Sequence, residues 1–300
     1  MTIPKRTRIN PSFPKRQILL TLLLLTAVGG ILPAENGPGE FVLQDIRFWI
    51  PDSVQKEEYL AVSAPPVRVH PKILILNYHN IVLGRTGNEY NRDLYNFEQD
   101  LRFLKQRYEI IDLQDLLAIR EGRRGLRHDA VILTFDDGDL SIYALAYPLL
   151  REYRIKATFF IISSFAGHVG YADWRQIREI SDYRTDEGEQ LFTIGSHSAS
   201  HQFLSTLEPE VLLRELSESR REIERNIDRK VDFLALPFGD GADNPQIINA
   251  AKAAGYSGIR TTRESVLLPS AIEPYSLSCF TIGNRSSDPE MNRIWKASGR

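Results

Sequence analysis

The sequence predicts an α/β domain in which a parallel sheet closes like a barrel and helices cover its outer face. Short apolar runs such as AVILTF, at residues 130–135, alternate with segments in which apolar residues recur every three or four positions. Continuous apolar runs are typical of parallel strands buried on both faces, and intervening helices are typical of their connections. About seven such units after residue 70 favour barrel-like closure, which puts catalytic side chains at the carboxyl ends of the strands.

Each predicted strand is an apolar run, and each predicted helix has helical spacing or a capping residue in front of it. In chain order, the strands are expected at residues 72–78, 108–113, 130–135, 156–162, 191–195, 231–236, 257–260 and 278–282. The helices are expected from residue 96, over 115–119 and 140–153, from Trp174 after an Asp173 cap, from Pro209, over 244–254 and from Pro289.

The composition is that of a globular protein and excludes several other classes. Apolar residues make up 42% and charged residues 25% of the chain, which argues against a disordered or polytopic membrane protein. The single cysteine, Cys279, excludes an intramolecular disulfide framework and a cysteine-rich zinc site. Five of the 37 basic residues but none of the 39 acidic residues lie in the first 34 positions. The rest of the chain is therefore acidic, and we expect no nucleic-acid partner.

The first 34 residues have the layout of an export signal. Basic residues precede the uncharged stretch 17–34, whose apolar part runs from Ile18 to Leu32. These roughly 15 residues are fewer than the roughly 20 that a membrane-spanning helix needs, so a cleaved signal peptide and a retained membrane anchor both remain open. We expect a linker or stalk over 35–69 and a folded domain over 70–300. That domain is expected to work outside the cytoplasm, either secreted or anchored at the cell surface or in the periplasm through residues 17–34.

Polar clusters follow several of the predicted strands. Asp136 and Asp137 follow AVILTF, and Gly138 behind them allows a sharp turn. Adjacent carboxylates point in different directions, so one can bind a metal while the other takes a proton. His197 and His201 follow the strand LFTIG and share one face if that segment is helical. Two imidazoles and one carboxylate are a common hydrolytic metal set, although each cluster alone is also typical of a polar turn or of surface histidines.

Two further groups hold equivalent places in the pattern. Pro237, Phe238 and Gly239 follow the strand VDFLAL and shape a loop whose phenyl ring is suited to facing a sugar. His79 lies in the segment YHN, directly after the first strand. Considered alone, residues 237–239 are also typical of an ordinary turn, and His79 is also typical of a structural histidine. Four polar groups at strand ends nevertheless indicate one composite site.

These segments together resemble the polysaccharide deacetylases of carbohydrate esterase family 4, which contain the NodB-homology domain. The resemblance rests on TFDDG, GSHSASH and LPFG, with ATFFII and the helix at Trp174 between the first two. The segment YHN is similar to the poly-N-acetylglucosamine deacetylase branch of the family. The resemblance covers about residues 70–285 and implies a distorted (β/α)7 barrel as the catalytic domain.

The resemblance also implies residue roles and a reaction. Asp136 would be the catalytic base, and Asp137, His197 and His201 would hold a divalent metal, most often Zn²⁺, with Co²⁺, Ni²⁺ or Fe²⁺ as alternatives. The segment 237–239 would form a wall of the substrate groove. The expected reaction removes N-acetyl groups from an extracellular N-acetylglucosamine polymer and releases acetate. Peptidoglycan, chitin and O-acetyl xylan remain open as substrates, and the alternative functions are another metal hydrolase or a catalytically weak carbohydrate-binding protein.

Two positions depart from the family pattern. Many members carry an arginine, two residues before the proline, that contacts the base, whereas this sequence has Ala235 there. Many also take the general acid from a histidine near the end of the domain, but no histidine follows His201. In the branch with an N-terminal Tyr-His pair, the histidine after the first strand fills that place. His79 is therefore the candidate acid, and the alternatives are His70, His128 and His168.

Overall fold

The computed structural model describes residues 40–43, 46–49, 65–84, 88–285, 287–297 and 299, and it divides the chain into two compact units, Met1–Ala61 and Val62–Arg300. In the first unit, the predicted linker contains an antiparallel pair of strands, β1 (Glu40–Leu43) and β2 (Ile46–Trp49). The predicted signal or anchor, residues 1–34, lies outside the described residues, so the boundaries at 34 and 69 stay predictions. Among the described helices, none is both long and apolar enough to cross a membrane.

The second unit alternates strands and helices. Its strands are β3 (Ile73–Tyr78), β4 (Asn80–Val82), β5 (Asn91–Asp93), β6 (Glu109–Ile110), β7 (Ala130–Phe135), β8 (Ala157–Ile161), β9 (Phe192–Ser196), β10 (Phe233–Ala235), β11 (Gly258–Arg260) and β12 (Phe280–Thr281). Its helices are α1 (Leu94–Arg107), α2 (Leu113–Arg120), α3 (Tyr147–Tyr153), α4 (Trp174–Asp182), α5 (Pro209–Ile227), α6 (Pro245–Ala254) and α7 (Ser287–Ala297). Every strand and helix predicted for this unit has a counterpart, and the short parallel pair β4–β5 is additional.

In the described part of this unit, eight strands form one sheet in which every pairing is parallel. Seven of them follow the order β11–β10–β9–β8–β7–β3–β12. The eighth, β6, pairs with the first part of β7, and β8 pairs with its second part. The sheet curls into a half-barrel with helices around it, which confirms the expected distorted (β/α)7 fold.

One chain segment, residues 277–282, spans the gap between the two ends of the curled sheet. The Leu277 carbonyl accepts the N–H of Thr261 at 2.8 Å, and the Leu277 N–H donates to Ile259 at 2.9 Å, beside β11. A few residues later, β12 pairs with β3, where Phe280 lies opposite Leu76. The barrel is therefore closed by a segment that contacts β11 with its first residues and β3 with its last.

The inward-facing side chains change from apolar to polar along the strands. On β7, Ala130 and Ile132 belong to the hydrophobic core, and Thr134 and Asp136 follow on the same face because side chains alternate. On β3, Asn77 holds the equivalent place and is the register partner of Thr134. A layer of buried polar groups thus lies on top of the apolar core, at the carboxyl end of the sheet.

Local signals explain where two helices differ from the sequence-based boundaries. Helix α1 begins at Leu94 rather than near Asn96, because the Asp93 side chain caps it by accepting the Asn96 N–H at 3.1 Å. The segment before α3 is a π-helical turn over Ile142–Ala146. Pro148 follows that turn and has no N–H to donate to a carbonyl one α-helical turn earlier, which favours the wider winding.

Candidate active site

The polar groups predicted from the sequence converge at the carboxyl end of the sheet. Asp136 and Asp137 follow β7, His197 follows β9, and His79 follows β3. All four line one cavity of about 950 Å³, together with His201. This volume is near the upper end of the roughly 300–1,000 Å³ that is typical of small-molecule pockets. The cavity therefore has room for more than a single acetyl group.

Asp137, His197 and His201 form a compact set of possible metal ligands. The Oδ1 atom of Asp137 lies 3.4 Å from Nε2 of each histidine, and the two Nε2 atoms are 3.3 Å apart. A tetrahedral ion with bonds of about 2.0–2.1 Å separates its ligand atoms by about 3.3–3.4 Å. The three side chains therefore fit a tetrahedral divalent ion such as Zn²⁺.

The two histidines are brought together by a loop, and the helical arrangement considered from their spacing is not observed. Strand β9 ends at Ser196, and both Ser198 (φ 64°) and His201 (φ 58°) have left-handed backbone conformations. The His201 N–H donates to Ser198 Oγ at 3.0 Å and stabilises this turn. Asp137 is also left-handed, with φ 71°. Two of the three possible ligands thus occupy strained positions, which is typical of functional sites.

A hydrogen bond sets the tautomer of His197. Its Nδ1 lies 2.9 Å from the carbonyl oxygen of Ala235, and because a carbonyl only accepts, Nδ1 carries the proton. In the neutral imidazole, the Nε2 lone pair would therefore face Asp137 and His201. A donor contact of this kind to a backbone carbonyl is typical of histidines that bind metals. Ala235 thus contributes to the site through its backbone.

Asp136 is a buried carboxylate surrounded by groups that favour its charged form. Both of its oxygens accept hydrogen bonds from Nη2 of Arg260, and Oδ2 also accepts one from Asn77 Nδ2 at 2.9 Å. Burial by itself would raise the pKa of Asp136, but the charges of Arg260 and the neighbouring histidines outweigh it. The pKa of Asp136 therefore lies well below its usual range, and the side chain is ionised at neutral pH.

Arg260 supplies a guanidinium group to Asp136. In the family pattern this group comes from an arginine at the position that Ala235 occupies here. The two residues are register partners in the β10–β11 ladder, so the arginine has moved to the neighbouring strand at the same height in the barrel. Its side chain is fully buried, and Nη1 also lies 3.8 Å from the Cys279 sulfur. The role of Arg260 was not predicted from the sequence, although an arginine inside a buried strand is itself a signal, because such a charge needs an acidic partner.

His79 is the remaining histidine of the cavity. Its Nε2 lies 3.9 Å from Asp136 Oδ2, and its buried Nδ1 has no hydrogen-bond partner among the described residues. The Tyr90 ring contacts the imidazole edge-on, with 5.0 Å between the ring centroids. Burial lowers the pKa of His79, and the charges of Asp136 and Asp137 oppose this effect only in part.

The other three histidines lie away from the cavity. His70 and His128 precede β3 and β7, at the amino end of the sheet, which is opposite to the site. His168 is exposed in the loop after β8, and its ring stacks on Phe165 at 6.2 Å. None of the three lines the cavity.

The predicted groove wall is a tight turn, Pro237–Gly239, which is separated from β10 by one residue, Leu236. Phe238 has φ 58°, and its ring lines the cavity 4.4 Å from the His201 ring. Gly239 has φ 68° and packs so closely against Thr262 that a Cβ atom would overlap the threonine side chain. Phe238 is therefore the member of this turn that faces the cavity, while Gly239 allows the turn to form.

Known proteins resemble this chain in sequence and in fold. The profile of the family described as polysaccharide deacetylase matches residues 123–259. A poly-β-1,6-N-acetyl-D-glucosamine N-deacetylase of Staphylococcus aureus is 27% identical over 265 residues, which cover 79% of this chain and 84% of the relative. The fold is shared with IcaB of Ammonifex degensii, with a TM-score of 0.64 and 24% identity over 76% of this chain and 98% of that one. It is also shared with the deacetylase PplD of Streptococcus pyogenes, with a TM-score of 0.65 and 22% identity over 75% and 99%.

The matched segment contains the central part of the site. It includes Asp136, Asp137, both histidines of the ligand set and the turn at Phe238, whereas His79 and Arg260 lie outside it. The named relative extends the match over most of both chains. Sequence, fold and the convergence of these side chains agree, and the chain contains a polysaccharide deacetylase domain, which the family profile matches over residues 123–259.

Proposed function

We propose that this protein hydrolyses the N-acetyl groups of an N-acetylglucosamine polymer outside the cytoplasm. Water adds across the amide bond, so the acetyl carbon gains an oxygen, the C–N bond breaks, and the nitrogen gains a proton. The products are acetate and a glucosamine unit that stays in the polymer. The observation that carries this proposal is the arrangement, in one cavity, of three possible metal ligands, an ionised buried carboxylate and a histidine.

Asp137, His197 and His201 are the proposed metal ligands. Their spacing supports Zn²⁺, and Co²⁺, Ni²⁺ or Fe²⁺ are the alternatives. A divalent ion bound there would supply Lewis acidity to the acetyl oxygen and lower the pKa of water. The chain's contribution is to hold one carboxylate and two imidazoles in place through left-handed turns and the carbonyl of Ala235.

Asp136 is the proposed general base. Its low pKa keeps it in the ionised, proton-accepting form, while the hydrogen bonds from Arg260 and Asn77 hold its orientation. A carboxylate with so low a pKa is a weak base toward ordinary water. A divalent ion held by Asp137, His197 and His201 would make water in the site more acidic, and Asp136 would then be basic enough to accept its proton.

His79 is the proposed general acid. An amine leaves an amide readily only when its nitrogen is protonated, and the imidazole Nε2 lies 3.9 Å from Asp136, inside the cavity. The lowered pKa of His79 makes its protonated form a stronger acid. The two aspartates beside it favour the arrival of a proton on the ring.

The polymer and the location of the reaction rest on separate support. The name of the Staphylococcus aureus relative supports a β-1,6-linked N-acetylglucosamine polymer, and the size of the cavity supports a substrate longer than one small group. The basic and apolar pattern of the first 34 residues supports action outside the cytoplasm, with either secretion or membrane anchoring through residues 17–34.

The direct test is acetate release from β-1,6-linked N-acetylglucosamine oligomers, with and without a chelator. We expect release that stops with the chelator and returns when Zn²⁺ or Co²⁺ is added. Chitin and peptidoglycan fragments are assayed in parallel, and release from one of these alone would reassign the polymer. A metal-loaded protein that releases acetate from none of them would contradict the proposed function.

Replacing His201 by alanine is expected to remove the metal. Residues that only orient a ligand already change metal affinity by about 10–100-fold, so the loss of a direct ligand is expected to cost at least about 100-fold. The measurement is metal content after dialysis against a fixed free Zn²⁺ concentration. His168→Ala is the matched control, because this histidine is exposed and outside the cavity. Equal metal content in the two variants would exclude His201 as a ligand.

Replacing His79 by alanine is expected to lower kcat by about 10²–10⁴-fold, the usual contribution of a general acid. Metal content should stay at the wild-type level, because His79 does not belong to the ligand set. The measurement is kcat for acetate release at saturating oligomer, again with His168→Ala as the control. A kcat close to that of the wild type would show that another group protonates the leaving nitrogen.

A further inference from the structure

Beside the cavity, two phenyl rings are stacked on each other and remain largely open to solvent. Phe203 and Phe238 have ring centroids 4.3 Å apart and an interplanar angle of 18°. Their exposed fractions are 53% and 57%, which is high for two large apolar side chains in contact. Phe238 lines the cavity, whereas Phe203 lies beyond it. The pair therefore continues the apolar surface outward from the site.

The backbone holds these rings in their exposed positions. Phe238 has φ 58° and ψ 4°, a conformation that is unfavourable for a residue with a Cβ atom. The loop that carries Phe203 is bound to the loop of Phe238 by two hydrogen bonds to Asp240. The carboxylate accepts the Ser205 N–H at 2.7 Å and the Ser205 hydroxyl at 2.8 Å. A strained backbone at Phe238 and two charge-assisted hydrogen bonds to Asp240 thus hold two apolar rings in contact with water. This exposure lowers the stability of the free protein, and a bound ligand that covers the rings would offset it.

We propose that Phe203, stacked on Phe238, forms a binding platform for a sugar unit next to the one that reacts. This inference rests on the proposed function, because it takes the reacting acetyl group to lie near His201. The row His201, Phe238, Phe203 has centroid spacings of 4.4 Å and 4.3 Å, so the platform begins at a possible metal ligand and leads away from it.

The chemistry of the platform fits a pyranose. A β-linked glucosamine ring carries its substituents equatorially and presents C–H groups on both faces, which pack well against aromatic carbon. A polymer whose reacting unit fills the cavity must leave it at the rim, where Phe203 lies. Phe203 is therefore a residue that selects for chain length, and it has no role in proton transfer.

The test is calorimetric titration of a β-1,6-linked N-acetylglucosamine pentamer into the full chain, with metal removed by a chelator so that nothing is hydrolysed. Phe203→Ala is expected to raise the dissociation constant about tenfold, because part of an apolar contact with a phenyl ring is lost. Phe203→Trp should restore the affinity, because it keeps an aromatic face. Leu268→Ala is the control, since Leu268 is 44% exposed and follows Leu267, which pairs with the start of β3 at the opposite end of the barrel.

The outcomes separate this inference from the proposed function. If the pentamer binds wild type and Phe203→Ala equally well, or binds neither, the platform is wrong. Acetate release by the metal-loaded wild type is measured independently of these titrations. If the wild type releases acetate but Phe203→Ala binds the pentamer as tightly as the wild type, the platform is wrong and the proposed deacetylase activity is retained. If the wild type releases acetate from none of the polymers, the proposed deacetylase activity is itself wrong.

Discussion

Replacing Asp136 by asparagine is expected to lower kcat for acetate release by about 10²–10⁴-fold, because the amide cannot accept the proton of the attacking water. The metal should remain bound, since Asp136 lies outside the three-ligand set. The two measurements are initial rates with an N-acetylglucosamine oligomer and metal content after dialysis. This combination of lost turnover and kept metal is what distinguishes a base from a ligand.

Asp137→Asn is the natural comparison for this experiment. The two aspartates are adjacent in the sequence, but only Asp137 has its carboxylate within 3.4 Å of both histidine Nε2 atoms. The Asp137 variant should therefore lose metal and activity together. If the Asp136 variant also loses its metal, or if it keeps near-wild-type turnover, its role as the base is wrong.

Replacing Arg260 by methionine is expected to destabilise the fold by about 3–5 kcal/mol at neutral pH, because it leaves the Asp136 carboxylate buried without its partner. The measurement is the free energy of unfolding in denaturant. Arg263→Met is the matched control. It removes an exposed arginine that pairs with Asp243 on the surface, and such pairs contribute only about 0–1 kcal/mol.

The Arg260→Met variant is also expected to change the pH dependence of kcat/KM, an effect that loss of stability alone does not explain. Without Arg260, the burial that raises the pKa of Asp136 is no longer outweighed by the largest opposing charge, so that pKa rises. The base then becomes protonated at a higher pH, and the acidic limb of the kcat/KM profile should move upward in pH. The added instability should also shrink as pH falls, because protonation removes the unpaired buried charge. If the acidic limb of the kcat/KM profile stays at the wild-type pH, Arg260 does not lower the pKa of Asp136.

Local patterns in the sequence were sufficient to predict the strands of the main sheet and the proximity of Asp137, His197 and His201. A continuous apolar run such as AVILTF favours a strand buried on both faces, and β7 has the predicted bounds. Asp137 and His201 could be expected to lie close together because the carboxyl ends of parallel strands meet at one edge of the sheet. That expectation needs only local sequence and the general rule for parallel sheets, whereas the choice of Asp137 rather than Asp136 as the ligand came from the family resemblance.

Contacts between distant parts of the chain could not be predicted in the same way. Arg260 reaches Asp136 across 124 positions, and that pairing depends on the register of β10 against β11, which local sequence does not determine. The left-handed backbone at Ser198 is set by the surrounding loop, so the spacing of the two histidines alone was compatible with a helix. From the sequence alone, the absence of an arginine at Ala235 suggested that Asp136 lacks a guanidinium partner. The structure provides that partner from the neighbouring strand, as Arg260.

The way the barrel is closed has a consequence for the order of events during folding. The segment 277–282 joins β11 to β3, and Phe280 pairs with Leu76, which emerges from the ribosome about 200 residues earlier. Until that segment is synthesised, β3 lacks a neighbour on one side and presents unpaired backbone groups, a surface prone to association. Closure across so long a stretch of chain is also intrinsically slow. The chain thus carries an open edge on β3, beside the strand that leads to Asp136, until residues 277–282 are in place, and we expect chaperones that shield such edges to raise the yield of folded protein.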